Sequence, residues 1–155
     1  IEKLEENIED IYLLDIPNSK EYIEKLVNLK PKKIYLICEE KQVLSDVYLI
    51  DKDRLIKLFN IMLSIPNKQI NITQQLDKLL TTLKTNVDSL KIMIQIFREL
   101  NLITFENNTI KLNENYKKVD LKQSASFVRM ESIFEVEKLL LKENITNINK
   151  AFDKN

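Results

Sequence analysis

The chain has 155 residues, 44% hydrophobic and 31% charged, and its 24 basic and 24 acidic side chains cancel to no formal net charge. That is the composition of an ordinary globular protein, large enough for one good core or two small lobes. It has no histidine and no glycine, which excludes Ser-His-Asp triads, Cys-His pairs, histidine-held zinc or manganese, the dinucleotide fingerprint and the P-loop.

No apolar run approaches a membrane span, and the opening IEKLEE has no signal-peptide pattern. The missing initiator Met suggests an excised fragment or a processed product. Cys38 is the only cysteine, which rules out a disulfide within the chain and suits a reducing cytoplasm. At the end of the apolar run IYLIC it reads as a buried structural thiol, and without a histidine partner it has no nucleophile role.

Charge is unevenly spread. Residues 1–65 carry 10 Lys and Arg against 13 Asp and Glu, a balance of −3. Residues 66–130 carry 10 against 6, a balance of +4, and the last 25 carry 4 against 5. The middle segment is thus mildly basic, compatible with a phosphate-binding surface but far short of a strongly basic footprint.

IYLLDIP (11–17) and KKIYLIC (32–38) are short, nearly continuous apolar runs, the pattern of strands covered on both faces of a parallel sheet. Between them NSKEYIEKLVNLKP places Tyr22, Ile23, Leu26, Val27 and Leu29 at helical spacing. Ser19 or Asn18 can cap that helix, and Pro31 marks its exit. Strand, helix, strand with short connections predicts a βαβ unit.

DKDRLIKLFNIMLSIP predicts a helix capped by Asp51 and ended before Pro66. INITQQLDKLLTTLKT predicts a second, with Asn71 as cap and Leu76, Leu79, Leu80 and Leu83 inward. NVDSLKIMIQIFREL predicts a third, capped by Asn86. LITF and TIKL then pair across a turn in which Asn107 and Asn108 supply the positive φ that a type I′ hairpin needs. Three helices followed by a hairpin make a winged-helix-like lobe.

A polar connector, NENYKKVDLKQSAS, leads to VRMESIFEVEKLLLKEN. That segment predicts a helix with Ile133, Val136, Leu139 and Leu140 inward and Glu131, Glu135, Lys138 and Lys142 outward. A short terminal helix over INKAF is also expected.

Three groups of residues are candidates for chemistry. Asp15 ends the first predicted strand and Glu39 and Glu40 follow the second, where open α/β sheets place ligands. Three carboxylates there could bind a divalent cation through oxygen, but with no phosphate loop and no histidine the favoured reading is solvated loop acids. The third helix is apolar over an arc of roughly 200° (Leu90, Ile92, Met93, Ile94, Ile96, Phe97, Leu100), where about 100° suffices for one core. Its polar strip, Asp88, Lys91, Gln95, Arg98 and Glu99, is narrow for a helix that reads base edges. Lys111, Lys117, Lys118, Lys122 and Arg129 could form a phosphate-tracking patch, with Tyr116 and Phe127 stacking unpaired bases. The alternative is that these lysines are solvated and the aromatics belong to a core.

The segments IYLLDIPNSKEYIEKL, KPKKIYLI, FRELNLITFENNTIKL and KKVDLKQSASFVRMESIFEVEKLLL together resemble the C-terminal domain of the bacterial single-strand-DNA-specific exonuclease RecJ. The resemblance runs from about residue 10 to residue 152. It is most specific at the K-x-D-L-x-x-S-x-x-[YF] block, here Lys118, Asp120, Leu121, Ser124 and Phe127, followed by Glu137. Phe127 stands where tyrosine is common, and Asn107-Asn108 where an Asn-Gly-like turn is usual.

The resemblance implies a parent hydrolase that degrades single-stranded DNA from its 5′ end in repair and recombination. Its manganese or magnesium would sit in a catalytic core whose metal-ligand motifs are not in this chain. The expected function is therefore a non-catalytic accessory domain that docks partners, adds DNA contacts, or both, with no catalytic residue and no metal of its own. Its expected partners are the rest of the RecJ-type chain, single-stranded DNA and a repair protein such as a single-stranded-DNA-binding protein; no membrane is expected. The alternative is a free-standing winged-helix DNA-binding or protein-interaction module. The expected fold is mixed α/β: a βαβ lobe with its following helix over 1–65, a winged-helix-like lobe and basic connector over 66–130, and a C-terminal helical segment over 131–155 packing across the lobes.

Overall fold

The computed structural model describes residues 8–14, 16–37 and 43–142. Asp15, Cys38, Glu39, Glu40, the Lys142 side chain and the helix expected over INKAF lie outside the described residues. The fold is mixed α/β, and the chain divides into two compact units, 1–45 with 129–155, and 46–128. The helix that begins at Lys52, grouped by the sequence with the βαβ lobe, falls in the second unit.

In the first unit, β1 (Asp10–Leu13), α1 (Lys20–Asn28) and β2 (Lys33–Leu36) form the βαβ element, with β1 and β2 parallel. Their register sets Asp10 beside Lys33, Ile11 beside Ile34, Tyr12 beside Tyr35 and Leu13 beside Leu36. The apolar runs predicted strands covered on both faces; the structure corrects this, because burial alternates along both strands. Ile11, Leu13, Ile34 and Leu36 are half-buried, while Tyr12 is 59% exposed. Tyr22 and Leu29 of the predicted helical stripe are also exposed.

The core of this unit joins Ile23 of α1 to Val136 of α6 (Ala125–Lys142), with Ile16, Leu26, Val27, Leu139 and Leu140 packed around them. Burying each large aliphatic side chain contributes about 1.5–3 kcal/mol. Lys20 of α1 reaches Glu135 at 3.6 Å, an exposed pair that adds little. Glu137 behaves differently. Its carboxylate is buried and accepts the backbone N–H groups of Leu44 (2.7 Å) and Ser45 (2.8 Å) at the start of the short helix α2 (Leu44–Val47). Two orphan donors at that helix start thereby gain an acceptor.

In the second unit the order is α3 (Lys52–Ser64), β3 (Gln69–Asn71), α4 (Ile72–Leu83), α5 (Val87–Glu99), β4 (Ile103–Glu106) and β5 (Thr109–Leu112). Each predicted cap is in place: Asp51 accepts from the Arg54 N–H, Asn71 from that of Gln74 and Asn86 from that of Ser89. The hairpin closes with Glu106 opposite Thr109, and Asn107 and Asn108 both take positive φ, 47° and 58°. This is the geometry that a two-residue type I′ turn requires.

β3 is the strand the sequence did not announce. It pairs antiparallel with β5, giving the sheet order β3-β5-β4. Ile110 of β5 therefore lies between Ile70 and Phe105 and is fully buried, as is Ile70. Leu58 and Met62 of α3, Leu83 of α4 and Met93, Ile96 and Phe97 of α5 complete the core. Phe59 packs edge-on against Phe97, with ring centroids 6.2 Å apart. The irregular segment before α3 is satisfied by side chains: the Leu49 N–H donates to buried Ser89, and its carbonyl accepts from Thr85.

Candidate nucleic-acid interface

The third predicted helix, α5, is committed to the core on its apolar arc. Leu90, Met93, Ile94, Ile96 and Phe97 are buried, as is Leu100 just beyond its end. Its polar strip is exposed as far as Arg98 and linked by contacts within the helix. Lys91 donates to Asp88 at 3.1 Å, Gln95 to Glu99 at 3.0 Å, and Arg98 to Gln95 at 3.5 Å. These exposed contacts are weak, and it is the narrowness of the strip, Asp88, Lys91, Gln95 and Arg98 beside a buried arc, that leaves no broad polar face for base edges.

Glu99 ends α5, and its carboxylate does more than close that strip. It accepts the hydroxyls of Ser124 and Ser126, each at 2.6 Å, and the Ser126 N–H at 3.0 Å. The Ser124 hydroxyl first, then the hydroxyl and N–H of Ser126, hold the Glu99 carboxyl down to about 2 from an ordinary 4.5, against a smaller opposing effect of burial. The sequence placed Glu99 in the solvent strip and singled out Ser126 nowhere. The signal that could have found them is Ser124-x-Ser126 at a helix start, where hydroxyls cap.

The residues of the resembling block have structural positions. Asp120 accepts from the Lys122 N–H and caps the 3-10 turn Leu121–Gln123. Ser124 is fully buried, accepts the Phe127 N–H at 3.1 Å, and starts α6 three residues before the sequence predicted. Phe127 is half-buried, and Lys118 is exposed.

Lys111 projects from β5 opposite Gln69 and Thr104 and is exposed. It borders an open groove of about 470 Å³ shared with Asn101, Thr104, Asn113, Glu114 and Asn115. Asn113 fixes one wall, its amide donating to the Asn101 carbonyl at 2.7 Å. Lys117 and Lys118 lie in the following loop and Lys122 in the 3-10 turn, all exposed. Arg129 is exposed in the first unit. Among the described residues none of these five makes an ion pair. Tyr116 is 37% exposed and packs edge-on against Phe59, with centroids 5.3 Å apart.

Among the described residues no three Asp, Glu or Cys side chains are grouped to hold a metal ion, and no helix is long and apolar enough to cross a membrane. Comparison with curated proteins and with solved structures returned no significant match. Residues 2–152 match the family model described as the single-strand DNA-specific exonuclease C-terminal domain, and the chain belongs to that family.

Proposed function

We propose that this chain is the non-catalytic accessory domain of a RecJ-type 5′ exonuclease of DNA repair and recombination, working in the cytoplasm. It adds sequence-independent contact to the DNA path and docks other polypeptide. The manganese or magnesium of the reaction belongs to the catalytic core of the parent enzyme, and the partners are the remainder of that enzyme, single-stranded DNA and a repair protein such as a single-stranded-DNA-binding protein.

The observation that carries the DNA half of this reading is the set of four exposed lysines of the second unit, Lys111, Lys117, Lys118 and Lys122, none with an acidic partner among the described residues. Exposed cations without acidic partners suit phosphate tracking, and the narrow polar strip of α5 does not suit base readout.

A free-standing winged-helix module is the second reading. What supports it is the order helix, strand, helix, helix, hairpin, with β3 joining the hairpin sheet. Against it stands the narrowness of the polar strip of α5, flanked by an arc buried in the core. The test of the non-catalytic reading is simple. Supplied with manganese, this chain alone is expected to leave labelled single-stranded DNA intact, and metal-dependent digestion by it overturns the assignment.

A further inference from the structure

We propose that the outward face of the β1–β2 pair is the surface on which this domain docks the polypeptide preceding it in the parent exonuclease, an inference that rests on the reading of the chain as part of such an enzyme. Parallel strands occur almost only in sheets covered on both faces. Here one face is left open in the described residues. Tyr12 and Tyr35 stand in register on it, rings stacked at 4.9 Å with 11° between their planes. Leu14 and Ile37 continue the alternation at 78% and 53% exposure. Four large apolar side chains thus form one strip.

The rim of that strip selects the class of occupant. Among the described residues the charged groups on that face are Asp10 and Lys33, in register and one of each sign. A neutral rim gives a phosphate backbone no purchase, while stacked tyrosines edged by aliphatic groups suit an apolar protein surface.

Size selects among protein occupants. At the observed exposures of Tyr12, Leu14, Tyr35 and Ile37, the strip offers on the order of 450 Å², within the range of functional apolar patches on single domains. A stable complex of free partners buries roughly 800 Å² on each side, so a second copy of this chain meeting face to face falls well short. A covalently attached partner does not need that area, because a tether supplies an effective concentration in the millimolar range. The family is a C-terminal domain, and the tethered polypeptide is the part of the exonuclease that comes before it.

The test uses the full-length exonuclease with the photoreactive p-benzoylphenylalanine replacing Tyr12. In a second preparation it replaces Tyr22, which is 57% exposed on α1 and so comparably accessible. After irradiation, position 12 is expected to cross-link to a peptide from the preceding part of the same chain, with several-fold higher yield than position 22. Leu14→Glu is expected to cut that yield several-fold. Cross-links from position 12 to a second copy, to a peptide within residues 1–155 or to an added oligonucleotide overturn the proposal, as do equal yields at the two positions. Nuclease activity of the enzyme lacking this domain separates the two readings. Lost hydrolysis with the cross-link present removes the accessory reading alone, and retained hydrolysis without the cross-link removes the docking surface alone.

Discussion

The Ser124 hydroxyl donates to Glu99 at 2.6 Å, binding the last residue of α5 to the residue that caps α6. The contact spans 25 positions of sequence. It sets a carboxylate against the first N–H groups of a helix, where negative charge is favoured. Because the folded carboxyl is depressed to about 2 from 4.5, its contribution is fully present above pH 4.5 and disappears as pH falls through 2. Discounted for its partial solvent access, that contribution is about 1–2 kcal/mol. Glu99→Gln is therefore expected to be less stable than the parent by that amount at pH 7. Urea unfolding from pH 7 down to pH 2 should show the gap closing with acid. A gap that stays constant would mean that the carboxylate charge plays no part.

Lys84 sits at the end of α4 in the left-handed region, φ 51° and ψ 55°, while the Thr85 N–H reaches back to the Leu80 carbonyl. This is the helix-ending arrangement that usually takes glycine, and a side chain there costs about 1–2 kcal/mol. Lys84→Gly relieves that strain but frees the unfolded chain, so a net gain of about 0.5–1 kcal/mol is expected. Lys84→Ala keeps the Cβ and should gain nothing. The Arg54 side chain donates to the Lys84 carbonyl, a backbone contact that survives both changes. Thermal melts of the two variants check the prediction: equal Tm values would count against strain at this position.

Much of the second unit was legible because its signals are local. Asp51, Asn71 and Asn86 cap within three residues of themselves, and Asn107-Asn108 carries its turn type in its own backbone preference. What could not be read is what depends on distant pairing. Gln69–Asn71 is too short to show alternation, and it becomes a strand only through β5 some 40 residues later. The four-residue helix α2 has its first two N–H groups satisfied by Glu137 from across the chain. The strand runs at 11–17 and 32–38 misled in the opposite direction. Continuous apolarity suggested double coverage, whereas Tyr12 and Tyr35 face outward. For the candidate interface, the lysines were identifiable as exposed groups, but the bonds of Glu99 to Ser124 and Ser126 needed side-chain geometry.

Tyr116 separates base stacking from packing. Its ring meets Phe59 edge-on, and Phe59 meets Phe97 in the same way. Losing the contact in Tyr116→Ala is expected to cost about 1 kcal/mol of stability, while Tyr116→Phe preserves it. Affinity for a single-stranded oligonucleotide should fall less than about threefold in Tyr116→Ala, since a true stacking platform is worth ~1–3 kcal/mol per base. Parallel measurement of chemical denaturation and oligonucleotide binding decides the matter. A tenfold or larger loss of affinity with unchanged stability would make the residue a base contact.

The lysines of the connector carry the prediction with the sharpest readout. Lys117, Lys118 and Lys122 are exposed and without ion pairs among the described residues, so exchanging them for alanine should leave the fold intact. Each phosphate contact on a single strand contributes about 0.7 to the slope of log affinity against log salt. Three lost contacts should therefore flatten that slope by up to about 2, with weaker binding at low salt and little difference at high salt. Titrating the parent enzyme and its triple variant with one oligonucleotide across 50–300 mM salt, a range on the order of that over which such contacts are usually resolved, gives both slopes directly. Because the change acts through phosphate, it should be the same for oligonucleotides of different sequence. An unchanged slope would withdraw these lysines from the DNA path and leave polypeptide docking as the domain's whole function.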